Sequence, residues 1–381
     1  MYGLLLNFCS GFGQTFFVSL FVPSLRESFT LTEGDFGLYY SLLTLTSATL
    51  LPKVSQLLER LDWRWAASTI LGVLAISAMT LSQSQTVMFA ILGLFGLRLF
   101  GQGLSSHISS VAIVKSIPVY RATALSIASL GYPLSEAFLP YIAYFTLAAY
   151  GWHSSWMYFS FACLGLMPFF FLLGREMERL PEASESKKNT DVHVPINEIL
   201  KDRVFLKYLP ASLCAPFYAT GIFLYQTSIS ELKGWETQTL SFGFAAFAIT
   251  RLVFSLVGGP IIDKHGAQKV YPFFLMPFMA GVLVLALVSQ AWAAWAFMIL
   301  VGISVGSSAS LKSALWSELY GAELHGRYRS ISTSFMVFST SISPLLFGYL
   351  FENNVSLKAI LLTCAATVAV SAWIARPKLK A

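Results

Sequence analysis

The chain has 381 residues, of which 56% are hydrophobic and only 12% are charged. Soluble domains carry about 25% charged residues, so this composition excludes an ordinary water-soluble domain and points to a bilayer. The formal net charge of +6 follows from where Lys and Arg fall along the chain and calls for no nucleic-acid partner.

Residues 1–25, 65–97, 208–230, 270–311 and 330–351 contain no Asp, Glu, Lys or Arg. A spanning helix needs about 20 mostly apolar residues, and lipid leaves no donor or acceptor for unpaired backbone, so such runs must be helical. Cutting at turns and charges predicts helices over 2–25, 36–58, 65–83, 86–112, 120–147 and 153–174. The polar stretch "GREMERLPEASESKKNTDVHVPINEILKDR" follows, and then helices over 204–228, 238–262, 269–289, 292–317, 328–350 and 355–374. The expected architecture is an all-α membrane protein of twelve spans in two pseudo-symmetric six-helix bundles. Residues 1–174 form the first bundle, 175–203 a cytoplasmic linker and 204–381 the second bundle.

With both termini in the cytoplasm, nearly every Lys and Arg outside the helices falls on the cytoplasmic side, from Lys53, Arg60 and Arg64 to Arg376, Lys378 and Lys380. Arg26, Lys233 and Lys358 lie opposite. This asymmetry orients the protein in a membrane, of the bacterial inner-membrane type. The N-terminus lacks a positive n-region and its apolar run is too long for a signal peptide, so it is read as the first span. Cys9, Cys163, Cys214 and Cys364 are isolated in apolar helices. No metal-ligand or disulfide spacing exists, and no metal or cofactor is expected.

The halves echo one another. "SQLLERLDWR" (55–64) corresponds to "GPIIDKHGAQK" (259–269), and "RATALSI" (121–127) to "RYRSIST" (327–333). Transporters use such repeats around a substrate site near the membrane midplane. The sequence "GGPIIDKHGAQK", with Gly259, Asp263, Lys264, Gly266 and Lys269, resembles the loop signature between helices 8 and 9 of the major facilitator superfamily. Its first-half counterpart keeps Arg60, with Ser55 for the glycine and Glu59 for the aspartate. "RLFGQG" (98–103) resembles the family's helix-4 pattern. The resemblance implies alternating access, with Asp263, Lys264, Glu59 and Arg60 helping to lock the cytoplasmic side.

Inside the predicted spans stand three cations, Arg98, Arg251 and Lys312, and one acid, Glu136. A charge in a span costs at least ~2.5–3.5 kcal/mol, so each needs a partner or a function. Excess fixed positive charge attracts an anion and repels organic cations. Arg98 and Glu136 lie at similar depth, roughly 18 and 21 Å from their periplasmic ends at 1.5 Å per residue. Arg98 is therefore either paired with Glu136 or a substrate ligand, and glycines 101 and 103 would admit a neighbouring helix closely. Arg251 sits near the midplane, where a guanidinium either grips a substrate carboxylate through two parallel bonds or pairs with Glu136 or backbone carbonyls. Lys312 lies deeper, as a ligand or snorkelling to the surface. His107 is read as a packing residue or a ligand. The resemblance places Gln14 and Tyr218 on cavity-lining helices as orienting ligands.

Glu136 is the one candidate for proton coupling. The expected function is secondary active transport of a small organic anion, a monocarboxylate by resemblance to the monocarboxylate transporter and oxalate/formate exchanger branch, in symport with protons. That branch is suggested by the helix-8 arginine, Arg251, and by "RATALSIASLGYPLSEAFLP" (121–140). Phe247 departs from it, standing where monocarboxylate carriers place an aspartate. The alternative is an exporter of drugs or metabolites by proton antiport, hinted at by "GYP" (131–133). The partners expected are the anion, protons and lipid, for a chain working as a monomer. No Ser/His/Asp set or phosphate loop appears, so no enzyme is expected.

Overall fold

A computed structural model describes residues 1–117, 120–178, 195–236 and 238–377. Among them the regular structure is helical, with no strand. Helix α1 comprises Tyr2–Gly13 and Thr15–Phe29, bent by 48° between the two parts. Then come α2 (Glu33–Leu58), α3 (Trp63–Ser82) and α4 (Val87–Ser116). The run Thr123–Glu178 is broken at Gly151, whose φ of 73° interrupts the helix, and so forms α5 before it and α6 after it. In the second half α7 is Arg203–Leu224, α8 Thr239–His265, α9 Ala267–Leu287, α10 Trp292–Gly321, α11 Glu323–Glu352 and α12 Leu357–Ile374. Gly321, at φ 70°, separates α10 from α11 as Gly151 separates α5 from α6.

Eight of these helical runs are long and apolar enough to cross a membrane, and bent α1 makes a ninth. Splitting the run at Gly151 adds one more. The more polar α2 and α7 have 26 and 22 residues, and even 22 residues span about 33 Å. That exceeds the ~30 Å hydrocarbon core. Twelve segments of spanning length thus lie among the described residues, as the uncharged runs predict. The outside is apolar as lipid requires: Ile76, Leu256 and Trp373 are 67%, 72% and 66% exposed.

Two expectations are corrected. The first span is not one helix but breaks at Gln14. The segment expected as a linker, 175–203, begins inside α6, which runs to Glu178. It ends with a helical turn at Ile196–Ile199 before Asp202 caps α7. Arg179, Lys187, Lys188, Lys378 and Lys380, used in orienting the chain, lie outside the described residues.

The chain divides into two compact units, Met1–Lys187 and Lys188–Ala381. Within the first, α1 packs on α5, α2 on α4, and α3 on α6; within the second, α7 packs on α11, α8 on α10, and α9 on α12. The pairings repeat, which is the internal duplication made structural. Each unit has an aromatic core. Phe17, Phe21, Trp156 and Phe159 cluster in the first, with ring centroids 4.7–6.2 Å apart. In the second, Phe223, Phe244, Phe247 and Phe297 do the same. Edge-to-face pairs of this kind add about 0.5–1.5 kcal/mol each beyond the area they bury.

Lipid tails are as apolar as leucine, so helices associate through close packing and hydrogen bonds. Asn7 on α1 shows the second: its amide donates to Gly3 O, Ser109 Oγ on α4 and Ala128 O on α5, at 2.8–3.1 Å. Gly13 and Gly101 show the first. A Cβ at Gly101 would lie 2.8 Å from the Gly13 nitrogen, a backbone-to-backbone approach of α4 to α1. Gly101→Ala is therefore expected to destabilise the protein by about 1–3 kcal/mol through overpacking. Gly165→Ala on α6 meets nothing within 4 Å and should leave stability unchanged or raise it. Thermal denaturation of both variants in detergent checks this, and equal midpoints would contradict it.

Candidate functional site

The break in α1 follows from its backbone. Gln14 is extended (φ −84°, ψ 152°), and its carbonyl accepts from both Phe17 N and Val18 N. Phe17 N–H would otherwise serve Gly13 O, four residues back, so the Gly13 carbonyl is released inside the membrane. Arg98 takes it. Its Nη1 donates to Gly13 O at 3.1 Å and to Thr15 Oγ1 at 3.3 Å, and its Nη2 to Thr44 Oγ1 at 3.0 Å. The guanidinium also lies 4.7 Å from the centre of the Tyr40 ring, whose hydroxyl donates to Thr15 Oγ1. Arg98 itself sits in a π-helical stretch of α4, Leu97–Ser105, the widened turn often found at functional sites.

Arg98 is thus not paired with Glu136, one of the two alternatives that matched depth leaves open. It is 3% exposed, and its hydrogen bonds all end on neutral oxygens. Glu136, also buried, lies on α5. Gln14 is buried at the break, and its side chain makes no hydrogen bond with another described residue.

In the second unit Lys312 on α10 does not snorkel. Its Nζ donates to Ser212 O on α7 at 2.8 Å. Pro216 explains why that carbonyl is available: proline has no N–H, so the carbonyl four residues earlier loses its helical donor. Beside it, Ser212 Oγ and Tyr271 Oη of α9 share a hydrogen bond of 2.6 Å. Tyr218 on α7 accepts a 2.6 Å bond from Thr367 Oγ1 of α12. Arg251 on α8 is half-buried, its backbone so close to Gly306 of α10 that a Cβ there would clash with the Arg251 carbonyl. Among the predicted ligands, then, Arg98 and Gln14 meet at the α1 break. Lys312 reaches α7 at Ser212, whereas Tyr218 stands on α7 itself and faces Thr367 of α12.

The residues assigned to gating divide. Glu59, capping α2, binds two residues of α4: His107 Nε2 lies 2.9 Å from its Oε1 and Lys115 Nζ 3.2 Å from its Oε2. His107 therefore belongs with Glu59 rather than with the buried cations. Burial pushes the Glu59 carboxyl up, but the hydrogen bonds and charges of His107 and Lys115 outweigh it and hold its pKa below the usual carboxylate value. Asp263, Lys264 and Arg60 are exposed, and their side chains make no hydrogen bond or ion pair with another described residue.

Other acids hold these ends. Glu318, at the end of α10, accepts from Ala267 N at 2.7 Å and Gln268 N at 3.3 Å, capping α9 across the α8–α9 turn. Glu178, at the end of α6, accepts from Arg64 N at 3.1 Å near the start of α3. Asp202 caps α7 and also accepts from Tyr320 Oη and Tyr328 Oη. Lys115, Glu318, Glu178 and Asp202 were not among the predicted site residues. Asp202 did carry a readable signal, an acid directly before an apolar run, which is an N-cap pattern.

A carboxylate whose folded pKa is lowered contributes stability above its unfolded pKa, and loses it as pH falls through the folded value. Wild type should therefore be more stable than Glu59→Gln at pH 7, with the gap closing below about pH 4.5. Melting temperatures measured across that range check it; a gap independent of pH would contradict it.

Among the described residues no group of three His, Cys, Asp or Glu could hold a metal ion. The sequence profile of the Major Facilitator Superfamily matches residues 3–245 and 217–380. The fold is similar to the nucleoside transporter NupG at a TM-score of 0.77, with 12% identity and coverage of 98% of this chain and 96% of that one. It is similar also to a bacterial homologue of the human lysosomal transporter Spinster, at a TM-score of 0.75, 11% identity and coverage of 98% and 94%. A D-xylose–proton symporter matches at a TM-score of 0.73 with 15% identity, covering 100% of this chain and 97% of that one. In sequence, 123 residues are 24% identical to the class E tetracycline resistance protein of Escherichia coli; the match covers 32% of this chain and 30% of that relative. Two six-helix repeats and a profile matched along nearly the whole chain agree: the chain belongs to the Major Facilitator Superfamily and is a secondary transporter rather than an enzyme.

Proposed function

We propose that the protein moves a small organic anion, a monocarboxylate in the first instance, by alternating access coupled to protons. One observation carries the reading: two cations away from the helix ends, Arg98 and Lys312, are held by neutral carbonyl and hydroxyl oxygens, with no carboxylate on either among the described residues. Their charge is therefore not cancelled locally. In a medium of low dielectric an uncancelled cation favours a mobile anion strongly. Arg251 is the proposed principal ligand, because a guanidinium binds a carboxylate through two parallel bonds without needing to lose its proton. Gln14, buried with an unengaged amide, is a proposed orienting ligand. Glu136 is the proposed proton carrier. The bias of Lys and Arg along the chain supports cytoplasmic termini, and Asp263, Lys264 and Arg60 remain proposed gating residues on that side.

A second reading, export of a drug or metabolite by proton antiport, is favoured by the stretch similar to a tetracycline resistance protein. Ligand class separates the two. A ligand at 100 times its Kd stabilises the folded state by about 2.7 kcal/mol. Purified protein should therefore melt higher with one or more of formate, acetate, lactate, pyruvate, oxalate and succinate, and Arg251→Gln should lose that shift. A shift with hydrophobic organic cations alone would overturn the anion reading in favour of export.

A further inference from the structure

Arg98 and Lys312 do the same job with different firmness. Each stands on the fourth helix of its unit and donates to a carbonyl released on the first: Gly13 O for Arg98, Ser212 O for Lys312. Arg98 is held at several points, by Gly13, Thr15, Thr44 and the Tyr40 ring. Among the described residues Lys312 makes one hydrogen bond. An ammonium offers three donors, and a carboxylate attracts them more strongly than a neutral carbonyl does. Several linked contacts resist such competition; a single bond yields to it.

The consequence falls on α7. If Lys312 leaves, the Ser212 carbonyl has neither its helical donor, which Pro216 removed, nor a side-chain substitute. A carbonyl without a partner inside a membrane is costly. A bend at Pro216 opens the inner face of the helix and gives that carbonyl access to water or to the adjacent Ser212–Tyr271 hydroxyl pair. We propose that Lys312 is a releasable cap. At rest it holds the carbonyl that Pro216 leaves without a donor, and a carboxylate of the substrate takes its ammonium and so frees α7 to bend at Pro216. Lys312 is thus a ligand of the anion, and Pro216 is a positioning residue that couples occupancy to the shape of α7. The inference rests on the anion reading above.

Two measurements test it. The first needs no ligand. In the Pro216→Ala variant the substituted residue supplies the missing N–H, so the cap is no longer required. Lys312→Met should lower the melting temperature clearly in wild type and much less in Pro216→Ala. Equal losses in the two backgrounds would overturn the cap. The second uses whichever of the named carboxylates stabilises wild type most. With no carbonyl competing for Lys312, Pro216→Ala should bind that carboxylate about 3- to 10-fold more tightly, and transport it more slowly because α7 bends less readily. A carboxylate that binds wild type but binds Pro216→Ala no better would overturn the switch while leaving the anion reading standing. No shift with any of the carboxylates in either protein would overturn the anion reading and the switch together.

Discussion

A carbonyl that loses its helical donor inside a membrane has no water to turn to, and this constraint organises both units. The first helix of each unit loses a backbone hydrogen bond: α1 breaks at extended Gln14, and α7, continuous from Arg203 to Leu224, lacks a donor at Pro216. Each interruption releases one carbonyl, and each is met by a cation from the fourth helix, Arg98 or Lys312. The packing around the breaks follows from the same need. Arg98 reaches Gly13 because α4 meets α1 backbone to backbone at Gly101, and its second nitrogen is taken by Thr44 of α2.

Satisfying backbone with cations has an electrostatic consequence. A carbonyl binds a guanidinium or an ammonium without neutralising it, whereas a carboxylate would cancel the charge. The structure therefore keeps positive charge away from the helix ends, and on that charge the proposed anion reading rests. The acids lie instead at helix ends, where they cap: Glu318 on α9, Asp202 on α7, Glu178 beside Arg64, and Glu59 between His107 and Lys115. Charges at these ends stabilise turns. Among the described acids Glu136, on α5, is the buried one.

Most of the fold was legible in the sequence because lipid imposes length and apolarity on every span, and uncharged runs such as 65–97 or 270–311 are hard to disguise. The break in α1 was not, because "SGFGQT" lies within a run free of charge over 1–25 and reads as part of one span, although its two glycines and Gln14 make it the least apolar part of that run. Whether Arg98 pairs with Glu136 stays open in the sequence for a related reason. Depth along two helices can be counted from sequence, but the direction in which a side chain points around its helix axis cannot. Lys312 was the converse: a proline inside an uncharged run frees a carbonyl four residues earlier, so Pro216 already marked Ser212 as an acceptor in need of a donor. The loop signature around Asp263 identified the family, yet within its own unit it is Glu318 that holds this turn.

The most direct test is transport itself. Protein reconstituted into liposomes would be given an inwardly directed proton gradient and a radiolabelled carboxylate, the one that stabilises it most, with uptake followed in wild type and in Glu136→Gln. Wild type should accumulate the anion above its external concentration and lose it when a protonophore is added. Glu136→Gln should exchange labelled for unlabelled anion but not accumulate it. Accumulation that persists in Glu136→Gln would contradict the proton-carrying role, and uphill movement of an organic cation with none of the anion would contradict proton-coupled anion transport as a whole.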